Sequence, residues 1–243
     1  MEHEENILHG ESSFIKRFQQ YLSEFVYGGI DGSVTTFAVV AGAVGAGLDS
    51  AVIIILGFAN LFADGFSMSI GAYLSNKSAQ DNFRKHQRVE YWEVDNMPEM
   101  ERKEVEDIYR AKGFEGPLLD QVVDVITADR DRWVDIMMKE ELGMMPESKS
   151  PLKIGLVTFA SFLSIGLIPL SVYVWDFFWV FRGNLFLWSS LLTATGFIFI
   201  GWLKTYVTQT HRWKGILETL LLGALAAVVA YYVGDILEGI LRK

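Results

Sequence analysis

Residues 25–74 read FVYGGIDGSVTTFAVVAGAVGAGLDSAVIIILGFANLFADGFSMSIGAYL, and this stretch decides the fold. Two apolar segments, Phe25 to Leu48 and Ala51 to Leu74, are separated only by Asp49-Ser50. A segment of about 20 residues, rising about 1.5 Å per residue, crosses the roughly 30 Å of hydrocarbon in a bilayer. The pair therefore reads as a tight transmembrane hairpin. Apolar stretches of that kind return at Leu152 to Val174, Leu185 to Leu203 and Ile216 to Leu237. Five spans are expected, and an odd number puts the two termini on opposite sides.

The average composition of the 243 residues, 51% hydrophobic and 21% charged, hides a segregation. More than half of the acidic and of the basic residues lie between residues 75 and 151. After Leu74 the sequence turns charged with no Gly or Pro until Pro98, so the second helix is predicted to continue beyond the apolar segment. Pro98 suits the first turn of a helix over Glu99 to Lys112, which Gly113 stops. Gly116-Pro117 opens a third helix predicted to run to Leu142, with Leu118, Val122, Val125, Ile126, Trp133 and Ile136 at helical spacing.

The expected fold class is an all-α integral membrane protein, five transmembrane helices with a three-helix insert. Its divisions are an N-terminal segment 1–24, spans one and two at 25–74, the insert at 75–151 and spans three to five at 152–243. Placing the insert in the cytosol also places Lys16, Arg17, Lys204, Arg212 and Lys214 there, leaving only Arg182, Arg242 and Lys243 outside. The orientation with a cytosolic insert and N-terminus is the one expected. Residues 1–20 are polar and contain no apolar core of a cleavable signal peptide, so the first span is expected to direct insertion.

A net charge of −9 with no basic stripe argues against nucleic acid as a partner. The absence of cysteine excludes disulfides, iron–sulfur clusters and thiolate metal sites. No internal repeat or low-complexity tract is apparent.

Ionisable groups within the spans are candidates for function, because an ionised carboxylate there costs several kcal/mol, of order 3, without a partner. Asp31 lies in the first span, between Gly28 and Gly32, which permit close helix approach. In the second, Asn60, Asp64 and Met68 recur every fourth residue, aligning an amide, a carboxylate and a thioether on one helical face. Taken alone, Met68 reads more often as a packing residue than as a ligand, and its place on the Asp64 stripe strengthens the ligand reading. Glu218 and Asp235, near the ends of the fifth span, read as interfacial charges, and Lys204 as a residue snorkelling to the inner face.

The insert carries Glu90 and Glu93 on one helix and Glu101 and Glu104 on the next, each pair projecting from one helical face. Met137, Met138 and Glu141 follow on the third. Oxygen and thioether donors without cysteine suit divalent iron or manganese, and could also take cobalt or zinc. Acidic pairs on helices are more commonly solvated surface, and Arg88, Arg102 and Lys103 could neutralise these. Spacing alone leaves both readings open.

Three motifs occur in order: Gly28-Gly-Ile-Asp-Gly followed by Thr35-Thr-Phe-Ala-Val-Val-Ala-Gly, then Asn60-Leu-Phe-Ala-Asp-Gly-Phe-Ser-Met-Ser-Ile-Gly, then Asp135-Ile-Met-Met-Lys-Glu-Glu-Leu-Gly. Together they resemble the vacuolar iron transporter family over nearly the whole chain. The resemblance implies a homodimer with its transport path between subunits and a cytosolic metal-binding domain between spans two and three. It implies metal ligands at Glu90, Glu93, Glu101, Glu104, Met137, Met138 and Glu141, and path residues at Asp31 and Met68. One departure is Ala72, where relatives often place an acidic residue.

The function expected is proton-coupled export of Fe(II), with Mn(II) as a further substrate, from the cytosol across a vacuolar-type organelle membrane or a prokaryotic plasma membrane. Metal is cargo in this reading and no prosthetic group is expected. Asp31, Asn60, Asp64 and Met68 line the expected path. Two alternatives are a membrane protein that senses or binds metal without moving it, and a di-iron oxidase. The oxidase would need inward-facing Glu-x-x-His pairs, and none of His3, His9, His86 or His211 lies three residues after a Glu.

Overall fold

A computed structural model describes residues 19–241. The expectations resting on Lys16, Arg17, His3, His9, Arg242 and Lys243, and most of segment 1–24, lie outside the described residues. Every regular element among the described residues is helical. In chain order these are α1 (Leu22–Gly45), α2 (Ser50–Asn96), α3 (Pro98–Ala111), α4 (Gly116–Thr127), α5 (Arg130–Ile136), a π-helical turn (Met137–Glu141), α6 (Pro151–Gly166), a 3-10 turn (Ile168–Leu170), α7 (Ser171–Phe178), α8 (Leu185–Thr208) and α9 (Arg212–Leu241). The chain divides into two compact units, one running up to Tyr73 and resuming at Lys149, the other Leu74–Ser148.

Five helical segments are long and apolar enough to cross a membrane: α1, α2, Pro151–Phe178, α8 and α9. Much of α2 and α9 is left uncovered, with Ile55, Phe62, Phe66, Leu221 and Leu225 exposed. Such surface suits lipid as surroundings. The link between α1 and α2 is a Schellman turn. Gly47 at φ +64° lets Leu48 N–H donate to Ala43 C=O and its own N–H donate to Val44 C=O, both at 3.0 Å.

The first unit is drawn together around α1, whose small residues face α6. A methyl group on Gly32 would fall 2.5 Å from Phe162 C=O, and one on Gly28 would fall 2.6 Å from Thr158 C=O. Neither position has room for a side chain, so backbone contact between α1 and α6 depends on both. Ser161 Oγ adds a hydrogen bond to Phe25 C=O across this contact. The third span, expected as one helix over Leu152 to Val174, is interrupted at Ile168–Leu170. Pro169 lacks an N–H and its ring crowds the carbonyl one turn back. Ser189 Oγ from α8 takes up the Pro169 C=O at 2.6 Å.

Lys204, expected to snorkel, donates to Glu218 at 2.8 Å and so ties α8 to α9. Asp235 is exposed.

In the second unit Val94, Val105, Leu119, Val123, Ile126, Trp133, Val134, Met137 and Met138 form the core. Two expectations need correction. The buried stripe of α4 is Leu119, Val123 and Ile126, while Leu118 and Val125 are exposed. Paired apolar residues in Leu118-Leu119 and Val122-Val123 fit two stripes one residue apart, and only the tertiary neighbours choose between them. The helix predicted to run unbroken to Leu142 stops at Thr127. Asp129, its backbone extended, caps a new helix by accepting from Arg132 N–H at 2.8 Å.

Candidate metal centre

Three segments carry the candidate ligands of the Leu74–Ser148 unit. Glu90 and Glu93 sit in the last turns of α2, and Met97 N–H closes that end on Glu93 C=O at 2.7 Å. Pro98 then starts α3, which brings Glu101 into the core, 3% exposed, one turn before the half-buried Glu104. Glu90 is likewise 3% exposed. Met137 and Met138 are fully buried in the π-helical turn, and Glu141, an exposed residue, closes that turn.

The widened turn has a structural role of its own. Leu142 N–H reaches back five residues to Met137 C=O at 3.2 Å, and Met144 N–H reaches Met138 C=O at 2.8 Å. A π turn fits one more residue into the turn than an α-helix does, and it recurs at functional sites because it re-aims side chains. Nothing in the spacing of Met-Met-Lys-Glu-Glu distinguishes it from an ordinary helix.

The five carboxylates act on one another. Burial, then the charges of Glu141, Glu93 and Glu104, push Glu90 up from an ordinary 4.5 to about 7. Burial, then Glu104, Glu90, Glu93 and Glu141, push Glu101 up to about 7 as well. Glu141 is raised by burial and by Glu104 and Glu93. One oxygen of Glu90 and one of Glu101 are buried with no hydrogen-bond partner among the described residues.

No ion pair among the described residues reaches any of the five. Two cations close to them in sequence are directed elsewhere: Arg102 pairs with Asp124 and donates to Thr127 Oγ1, and Lys139 pairs with Asp135 at 2.5 Å. As the side chains stand, no group of three or more His, Cys, Asp or Glu among the described residues is arranged to hold a metal ion. What the fold brings together is a field of mutually repelling carboxylates beside two thioethers, rather than a finished coordination shell. Cation binding would relieve both the repulsion and the two unpartnered oxygens.

In the first unit, Asp31 is half-buried on α1 and Asp64 is exposed on α2, close enough for its charge to act on Asp31. Asn60 and Met68, one turn to either side of Asp64, are half-buried, and the Asn60 amide nitrogen is buried without a partner among the described residues. Among the described residues neither aspartate enters an ion pair. The stripe of Asn60, Asp64 and Met68 therefore runs along the border between the packed and the uncovered sides of α2. Ser33 and Thr36 on α1 are also fully buried with unpartnered hydroxyls, and a sequence scan for charged groups passes over both.

Comparison with known proteins adds to this geometry. The model of the VIT family matches residues 22–235. A protein of Toxoplasma gondii named vacuolar iron transporter is 34% identical over 98% of this chain and 78% of its own length. One of the same name from Plasmodium falciparum is 32% identical over 95% of this chain and 86% of its own. Vacuolar iron transporter 1 of Tulipa gesneriana is 30% identical over 97% of this chain and 95% of its own.

Proposed function

The chain belongs to the VIT family, a family of transporters and not of enzymes, and on that premise we propose that it exports divalent metal from the cytosol in exchange for protons. Fe(II) is the principal cargo and Mn(II) a further one. The observation that carries this reading is the gathering of Glu90, Glu93, Glu101, Glu104 and Glu141 beside buried Met137 and Met138, with no ion pair to any of the five among the described residues. Carboxylate oxygens supply the charge a divalent ion needs, and thioethers favour transition metals over Mg(II) and Ca(II).

Residues 75–151 act as the cytosolic collector and the spans as the pathway. Asp31 and Asp64 form an exchange post, with Asn60 and Met68 as neutral donors beside them. A protonated aspartate is neutral and ligates poorly, whereas the ionised form holds the cation. Protons arriving from the far side therefore release the metal, and the pH gradient drives net movement. The exposed position of Asp64 on the uncovered side of α2 supports a homodimer in which a second copy completes the path. The distribution of Lys and Arg supports a cytosolic insert, and the names of the relatives support an organellar membrane of the vacuolar kind.

The test is flux of Fe(II), Mn(II), Co(II) and Zn(II) into sealed proteoliposomes. Uptake of Fe(II) and Mn(II) is expected. Binding by the purified protein with no flux of any of the four would make it a metal-binding membrane protein instead.

A further inference from the structure

Two charges in the Leu74–Ser148 unit stand at unfavourable ends of their helices. Asp95 lies in the last turn of α2 and Arg130 is the first residue of α5, and at each place the helix dipole disfavours the charge present. Arg130 is not required to start α5, because Asp129 already caps it. The two side chains meet instead. Arg130 Nε donates to one Asp95 oxygen at 2.7 Å and Nη2 donates to the other at 2.5 Å. The guanidinium also lies 4.4 Å from the centre of the Tyr91 ring, one turn before Asp95 on α2. Tyr91 in turn donates its hydroxyl to Asp131 at 2.8 Å. The start of α5 is thus held to the end of α2 by a fork, a ring contact and a hydrogen bond.

The paired side chains are 50% and 48% exposed, a setting in which an ion pair contributes little to folding. Their location suggests another role. α5 is only seven residues long and runs directly into Met137, Met138 and Glu141, while Tyr91 and Asp95 alternate along α2 with Glu90 and Glu93. Any slide or rotation of α5 along α2 would carry the thioethers away from the carboxylates. We propose that Arg130, gripping Asp95 and Tyr91, is a positioning residue that sets the register of the methionine donors against Glu90 and Glu93 and thereby tunes which divalent metal the insert prefers. This rests on the reading of those residues as cargo ligands.

The experiment measures Co(II) and Mn(II) affinities of the full-length protein in detergent by calorimetry, with circular dichroism following the fold. Arg130→Ala is expected to weaken Co(II) binding about fivefold. Mn(II), which depends less on thioether contact, weakens less, so the Co(II)-to-Mn(II) preference falls while stoichiometry and helicity hold. Arg130→Lys keeps the charge without the fork and falls between. Asp95→Asn reproduces the loss, and the double variant Asp95→Asn with Arg130→Ala is no worse than either alone.

Unchanged affinities in Arg130→Ala overturn the proposal, as does an equal loss for both metals, which indicates general loosening. If Arg130→Ala does not fold, Asp95→Asn decides: a fall in the same preference supports the clamp, and an unchanged preference overturns it. Failure of the unaltered protein to bind either metal overturns the cargo-ligand reading itself.

Discussion

Glu101 on α3 lies within the field of Glu90 on α2, and the two carboxyls, each 3% exposed, are both held near neutrality at about 7. Two buried acids that interact this way give the metal-free protein a definite pH dependence. Between the ordinary value of 4.5 and about 7 the folded chain keeps protons that the unfolded chain has released. Stability therefore falls as pH rises through that window. The insert without metal should melt at a higher temperature at pH 5 than at pH 8, and Fe(II) or Mn(II) should restore the loss at pH 8. Thermal melts followed by circular dichroism check this, and a melt indifferent to pH would contradict it.

Metal affinity should run in the opposite direction. Protons compete for Glu90 and Glu101, so affinity should climb as pH rises through 7 and level off above it. Glu101→Gln should remove part of that climb, weaken binding at pH 8 by about tenfold and raise the stability of the metal-free protein there. Calorimetry on the variant across pH 6 to 8 gives both readings, and unchanged affinity would remove Glu101 from the ligand set.

The two methionines allow packing to be separated from ligation. Met137→Leu conserves volume and should cost under about 1.5 kcal/mol, whereas Met137→Ala should cost about 2–5 kcal/mol in a core shared with Val105 and Trp133. If the thioether is a donor, Met137→Leu should still weaken Fe(II) binding severalfold. Denaturant titration and metal titration of the same variant distinguish the two effects.

Helix contact within the spans is checked at Gly32. A methyl group there meets Phe162 C=O at 2.5 Å, backbone that cannot swing aside. Gly32→Ala should therefore destabilise the protein by about 1–3 kcal/mol, the usual cost of overpacking. The same change at the exposed Gly71, where an added methyl meets nothing, should be close to neutral. Thermal stability in detergent compares the pair.

The spans were readable because a run of about 20 apolar residues has few other physical meanings. Pro98 and Gly113 were readable as punctuation because each favours one backbone geometry, and Gly113 does take up a positive φ after α3. What could not be read depended on neighbours distant in sequence. Leu118 and Leu119 are equivalent until α4 packs, and the π turn at Met137 depends on where Met144 returns its N–H. The carboxylates of the insert were visible as pairs, yet their mutual field depends on three segments meeting. The fork of Arg130 on Asp95 was invisible, since the two lie 35 residues apart and neither charge suits its own helix end.

The most direct test of proton-for-metal exchange is Fe(II) uptake into proteoliposomes with the insert facing out, under an imposed pH gradient, comparing the unaltered chain with Asp31→Asn. Uptake should rise when the lumen is acidic, collapse with a protonophore, and be lost in Asp31→Asn while the insert still binds metal. Fe(II) uptake of equal rate with and without the gradient, or unimpaired uptake in Asp31→Asn, would contradict the account.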